Sequence, residues 1–265
     1  MRECWAKALG DCSGGLTREH VFTRGLFDKK VVPAFGLPFL EGGAGDISID
    51  AVTVKALCKT HNSGFSELDD AVIDFGLALK EFGRLMRVRA DANGRHKKPV
   101  KWPSVTLPVD GLRLERWCMK TTVNMWLARH QDLTSWSAPA NIVEAIGGRS
   151  ALPADVGLGV VYDHQMPNAV QLDGSIAFAP LKRTSDGEVG AGLFHFAGML
   201  LVCSWEHPLS SLMPLRSEGL TGNAMWHLEN FREGPLNVGL RFDWTGKRAG
   251  PLIDRLRRER IPLAR

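Results

Sequence analysis

The chain has 265 residues, 44% of them hydrophobic and 23% charged, with a formal net charge of +4. That length and apolar fraction supply a packed core for one large domain or two small ones and exclude a disordered tail. No apolar run approaches the roughly 20 residues of a bilayer span, and no signal-peptide h-region follows Met1-Arg2-Glu3-Cys4-Trp5, so the expectation is a protein without a membrane partner, in the cytoplasm.

Residues 1–64 are rich in glycine and turn signals, among them Ser13-Gly14-Gly15 and the stretch from Glu41 to Gly45. Short β-type runs lie between them, at Val31-Val32 and from Ile47 to Val54. In the second run Ile47, Ile49, Ala51 and Val54 mostly alternate with polar residues, as in a half-buried strand. Near Ser66 the pattern changes. Ser66-Glu67-Leu68-Asp69 offers a polar cap and an acidic first turn. Leu68, Val72, Phe75, Leu79, Phe82 and Met86 then recur at three- and four-residue steps, the stripe of an amphipathic helix. The turn dipeptide Asn93-Gly94 predicts its end, and Arg95-His96-Lys97-Lys98-Pro99 reads as an exposed linker.

Leu114, Trp117, Cys118, Thr121 and Met125 predict a second helix over about 112–130. Beyond residue 150 short apolar runs alternate with turn residues: 156–162, 175–179, 192–203 and 237–242. This is the pattern of a mostly antiparallel β structure. The expected fold class is α+β. It divides into an N-terminal module with its long helix (1–92), a basic linker (93–111), and a helical connector with a β-rich domain (112–265). Trp102, Trp117, Trp126 and Trp136 are expected in the core rather than as base-stacking platforms. Cys118 and Cys203, in apolar neighbourhoods, are expected there too.

The charge is unevenly placed. Residues 1–80 hold nine Lys/Arg against eleven Asp/Glu, whereas 81–101 and 246–265 each hold seven against two. Two basic stretches suit a polyanion partner. Arg95, Lys97, Lys98 and Lys101 are accordingly candidates for contact with a nucleic-acid backbone, the plainer alternative being a solvated linker. Arg116 and Lys120, in Leu114-Glu115-Arg116-Trp117 and just beyond, could contact phosphate from a helix or simply form its solvated face.

Three of the five cysteines, Cys4, Cys12 and Cys58, fall in the first 58 residues. Zinc takes four Cys or His ligands, usually as short-spaced pairs. Cys58-x2-His61 is one such pair, and Cys4 and Cys12 offer a second across a longer gap. Glu19-His20 sets a carboxylate beside an imidazole, the side chain that titrates near cellular pH and suits a general base. Asn62, Asp69 and Asp70 are oxygen donors near the helix start, and oxygen suits Mg²⁺ or Mn²⁺. On an extended strand Glu19 and His20 would point to opposite faces, so both reach one site only where the backbone bends.

The run from Leu16 to Phe22, with Glu19-His20-Val21, followed by Leu57-Cys58-Lys59-Thr60-His61-Asn62 and Ser66-Glu67-Leu68-Asp69, resembles the HNH endonuclease superfamily in its zinc-braced branch. The resemblance covers about residues 4–75. It implies a ββα-metal fold clasping one catalytic Mg²⁺ or Mn²⁺, with His20 as general base and Glu19 and Asn62 as metal ligands. Asp69 is a weaker candidate ligand. It also implies a structural Zn²⁺ on Cys58 and His61, with Cys4 matching the first cysteine of the family's N-terminal pair. Lys7 stands where the second belongs, so Cys12 would substitute for it. Thr53 stands where the family has a middle Asn. The function implied is metal-dependent hydrolysis of phosphodiester bonds in nucleic acid, with double-stranded DNA as the expected partner. The alternatives are a ribonuclease toxin with the same site and a non-catalytic zinc-containing nucleic-acid-binding or adaptor protein.

Overall fold

A computed structural model of the chain describes residues 3–37, 39–40, 43–95, 100–130, 138–153, 156–161, 176–182, 189–196, 199–206, 225–226, 230–233 and 237–246, with 254, 255 and 258. Its elements in chain order are β1 (Leu16–His20), β2 (Val31–Phe35), β3 (Ala44–Ser48), β4 (Thr53–Cys58), α1 (Lys59–Gly64), α2 (Ser66–Arg95), β5 (Val105–Asp110), α3 (Gly111–Arg129) and α4 (Ala140–Ile146). Then follow β6 (Gly157–Val161), β7 (Ile176–Lys182), β8 (Val189–Phe196), β9 (Met199–Ser204), β10 (Met225–Trp226), β11 (Asn230–Glu233) and β12 (Val238–Asp243). The chain is a mixed helix-and-sheet fold, as the patterning predicts, and no helix among the described residues is long and apolar enough to cross a membrane.

Three sheets form. β1 and β4 make an antiparallel pair, seven strands run in the order β10-β6-β9-β8-β7-β2-β3, and three run β11-β12-β5. In the largest sheet the β2–β7 pairing is parallel and the others are antiparallel. β2 and β3 therefore extend a sheet whose other strands lie beyond residue 156. The expected single strand from Ile47 to Val54 does not exist. It is β3 and β4, separated by a 3-10 turn over Ile49–Ala51. Ile49 N–H donates to the Lys30 carbonyl, and Val21 N–H to that of Val52. The chain thus leaves one sheet and enters another within four residues, which breaks the alternation: Val52 is buried and Ala51 exposed.

α2 buries Leu68, Val72, Phe75, Leu79, Phe82 and Met86, the predicted stripe. Each large apolar side chain so removed from water contributes about 1.5–3 kcal/mol. The helix runs through Asn93-Gly94 to Arg95, past its predicted end. Asn93 is not a turn residue here. Its Oδ1 accepts from Val100 N–H (3.3 Å) and Trp102 Nε1 (3.2 Å), fastening the returning chain to the last turn. Buried Arg89 supports the same return, donating to the Pro103 and Asn237 carbonyls with its guanidinium 5.3 Å over the Trp102 ring. Residues 93–111, expected as a linker, thus include the end of α2 and the whole of β5, which pairs in parallel with β12.

α3 starts on Asp110, whose side chain accepts from Arg113 N–H, the usual polar cap. It packs against α2, α4, β4 and β8 and is buried nearly all round, which marks a helix at the centre of a core. Trp117 and Trp126 lie in that core, as do Cys118 and Cys203, while Trp102 is half-buried and Trp136 falls outside the described residues. Five polar side chains of α3, Glu115, Lys120, Thr121, Thr122 and Asn124, are buried with them. A polar group in such a place needs a partner, and Lys120 finds its partners beside β1.

Candidate metal centre

The β1–β4 ladder is irregular at one place. Thr17 faces Leu57 and Arg18 faces Lys55, leaving Ala56 as the extra residue of a bulge. A bulge frees backbone groups for other bonds, and the Ala56 carbonyl accepts from Trp5 N–H at 3.0 Å. That bond brings the N-terminal segment alongside the end of β4, where Cys58 N–H donates to Cys4 Sγ at 3.3 Å. The long gap between Cys4 and Cys12 is taken up by a 3-10 turn over Lys7–Leu9, closed by left-handed Gly10 and Asp11. The chain doubles back and delivers Cys12 to the same point. Cys58 is the N-cap residue of α1, and His61 lies in its first turn.

His61 Nδ1 lies 3.3 Å from Cys4 Sγ, 3.6 Å from Cys12 Sγ and 3.3 Å from Cys58 Sγ. All four ligand atoms fall within 4.8 Å of one another. Tetrahedral zinc, with Zn–S about 2.3 Å and Zn–N about 2.0–2.1 Å, sets its ligand atoms about 3.6–3.8 Å apart. The four side chains could therefore hold a metal such as zinc. They are the expected four, and among the described residues the one group of three or more such ligands drawn this close.

The electrostatics suit this role. Burial pushes the Cys58 thiol up, but the N–H groups of His61 and Ser13 and the neighbouring Cys4 and Cys12 outweigh it, leaving its pKa below the usual value. Cys4 is raised by burial, and Cys12 is pushed up to about 12, by desolvation of its thiol and then by Cys4. Without a cation the cluster thus favours one thiolate among three sulfurs, as like charges at this spacing dictate. Burial lowers the His61 pKa, which keeps the imidazole neutral and able to ligate. Phe65 stacks on that ring, and Trp5 stacks on Phe65.

The proposed catalytic residues are arranged differently. The sides of β1 diverge as strand geometry requires: Glu19 is buried and His20 exposed. Thr53, in place of a middle Asn, lies directly opposite His20 in the ladder. Asn62 donates through Nδ2 to Thr17 Oγ1 at 2.9 Å, so it meets β1 two residues from Glu19. Glu19 and Asp69 are brought together, but by Lys120. Its Nζ lies 2.7 Å from Glu19 Oε1 and 3.0 and 3.1 Å from the two Asp69 oxygens, with the lysine side chain 1% exposed. Thr23 Oγ1 donates to Asp69 and accepts from Trp117 Nε1. Burial raises the Glu19 pKa, and Lys120 pulls it back only in part. Asp70 is exposed.

Lys120 is therefore neither a phosphate contact nor a solvated residue. No local signal in the sequence marked it, since Thr121, Thr122 and Asn124 beside it are polar too and its partners lie 101 and 51 residues away. Of the four basic candidates, Arg95 and Lys101 are exposed, Arg95 Nε donating to the Asp91 carbonyl. Lys97 and Lys98 lie outside the described residues. Compared with family models, characterised proteins and solved structures, the chain matches none.

Proposed function

We propose that this protein is an HNH-type phosphodiesterase of nucleic acid, braced by one structural zinc ion and acting on double-stranded DNA. One observation carries the reading. The Cys4, Cys12, Cys58 and His61 cluster ties the end of β4 and the first turn of α1 to the N-terminal segment, and the strand paired with β4 ends on exposed His20. Zinc on these four ligands would leave no open position, which is the signature of a structural site. His20, facing solvent, is free to meet a phosphodiester and to take the proton of an attacking water, while Asn62 stands beside β1 through Thr17.

In such chemistry a divalent ion neutralises charge at the phosphate, and the sequence resemblance assigns it to Glu19, Asn62 and Asp69. These residues fit the ion poorly, because the two carboxylates already share the Lys120 ammonium. The same ion triad favours a second reading, a zinc-braced nucleic-acid-binding or adaptor module that performs no chemistry.

The test is nicking of supercoiled plasmid, and cleavage of a matched RNA, by protein of known zinc content with and without added Mg²⁺ or Mn²⁺. His20→Ala should lower cleavage by about 10²–10⁴ and leave zinc content and nucleic-acid affinity in place. Equal cleavage by parent and variant rejects the nuclease reading. Binding without cleavage of either polymer selects the second reading.

A further inference from the structure

Beside the candidate metal centre lies a cavity of about 230 Å³, room for several water molecules at about 30 Å³ each. Thr60 and His61 of α1, Arg116 of α3 and Arg149, just past α4, line it together with Asp11 and Glu67. Arg149 sits on a fixed turn: the N–H groups of Gly147, Gly148 and Arg149 all bond back to carbonyls of α4.

α3 presents three cations on one face, Arg113, Arg116 and Lys120, at steps of three and four residues. Two of them are neutralised. Lys120 is held by Glu19 and Asp69, and Arg113 lies 2.7 Å from Asp110 and 3.4 Å from Glu67. Arg116, half-buried, has no hydrogen-bond acceptor for its guanidinium among the described residues, and neither has the side chain of Arg149. Glu67, one of the two acids lining the cavity, is engaged by Arg113 at 3.4 Å. Arg116 also lies tight against the turn, since a Cβ on left-handed Gly148 would come within 2.5 Å of its Nη1. Neither guanidinium forms a close ion pair among the described residues, although Glu115, Asp110 and Glu67 act on Arg116 from further off; two such groups lining one cavity suit a multivalent oxyanion, and the fork of Arg matches phosphate.

We propose that Arg116 and Arg149 form a phosphate-binding site in this cavity, separate from His20 and not dependent on its chemistry. The phosphate is that of a polynucleotide backbone or of a free mononucleotide, and three probes separate these sources. Inorganic phosphate, a 5′-mononucleotide and an eight-residue single-stranded DNA are titrated calorimetrically into the full chain, without added divalent ion. Arg116→Gln and Arg149→Gln are each expected to weaken binding at least tenfold, whereas Lys29→Gln, an exposed change outside both basic stretches, leaves it unchanged. For the oligonucleotide, loss of one contact should lower the slope of log affinity against log salt by about 0.7.

Binding of the small phosphates with this dependence assigns the site to a free phosphate group. Binding of the oligonucleotide alone, with the same dependence, assigns it to a backbone. Either supports the proposal. If no probe binds, or both variants bind like the parent, the proposal is overturned. Should Arg116→Gln fail to fold, exposed Arg149→Gln decides the matter by itself. The readout is binding, so a protein that never cleaves nucleic acid can still pass or fail it.

Discussion

Replacing Lys120 by Met removes the cation from between Glu19 and Asp69 while keeping most of the side chain's volume. The magnitude follows from burial. The Lys120 side chain is 1% exposed and that of Glu19 7%, while Asp69 is 31% exposed and keeps its bond from Thr23. Breaking a buried ion pair by removing one partner costs about 3–5 kcal/mol. Asp69 has water to fall back on, so the lower end applies, about 3 kcal/mol, or a fall in Tm of about 6–12 °C for a chain of this size. The loss should depend on pH. Burial raises the folded pKa of Glu19 above its unfolded value, so the carboxyl's contribution is fully present below the unfolded value and is lost as pH rises through the folded one. Without Lys120 that folded pKa rises further. The destabilisation should therefore be largest at pH 7 and shrink as pH falls through the Glu19 transition, where the protonated carboxyl needs no counter-ion. Urea unfolding followed by tryptophan fluorescence at pH 7 and near pH 4 reads both effects. The double variant Glu19→Gln/Lys120→Met should recover at least about 1 kcal/mol of the loss at pH 7. A single variant that loses less than about 1 kcal/mol, or a double variant no more stable than the single, refutes the claim that this is a buried, mutually dependent pair.

Elemental analysis of the purified chain should find close to one zinc, and Cys58→Ser should lower both zinc content and Tm, because binding energy at a structural site is folding energy; protein free of zinc with an unchanged Tm would end the metal reading. Acid should release the ion as its ligands protonate, detectable with a colorimetric chelator. Changing Arg95 and Lys101 together to Ala should flatten the salt dependence of nucleic-acid affinity by about two contacts' worth of slope; an unchanged slope makes them solvated residues.

What the sequence disclosed depended on the reach of each constraint. Cys58-x2-His61 is a local signal, since one turn of α1 sets both ligands, and the stripe of α2 is likewise written in consecutive residues. Cys12 joined them despite its odd spacing because Gly10 and Asp11 turn the chain back, a device visible as glycine beside aspartate only once the partner is known. Lys120 could not be placed from the sequence, because its partners are 101 and 51 residues away. Nor could β2, whose parallel neighbour β7 lies more than 140 residues downstream. The Ile47–Val54 run misled for a related reason: its alternation was real on each side of the 3-10 turn but belonged to two sheets. Asn93-Gly94 misled because tertiary contacts through Asn93 and Arg89 outweigh the modest cost of glycine in a helix.

These long-range pairings bear on how β1 carries His20. One end of the strand, at Leu16 opposite Cys58, is fixed by the cysteine–histidine cluster. The other end is fixed from beneath by Glu19, through Lys120 to α3 and through Asp69 to α2. A five-residue strand paired to a single neighbour would otherwise fray, since a lone two-stranded pair is marginal in water. With both ends held, its exposed side chain sits on a rigid support, the condition under which a reacting group keeps its geometry without loss of entropy on each encounter. If His20 is the general base proposed above, Lys120 acts on its position rather than on the reacting atoms. Its loss should broaden the disposition of His20 even at temperatures where the fold persists, and the cysteine–histidine cluster alone should not restore it.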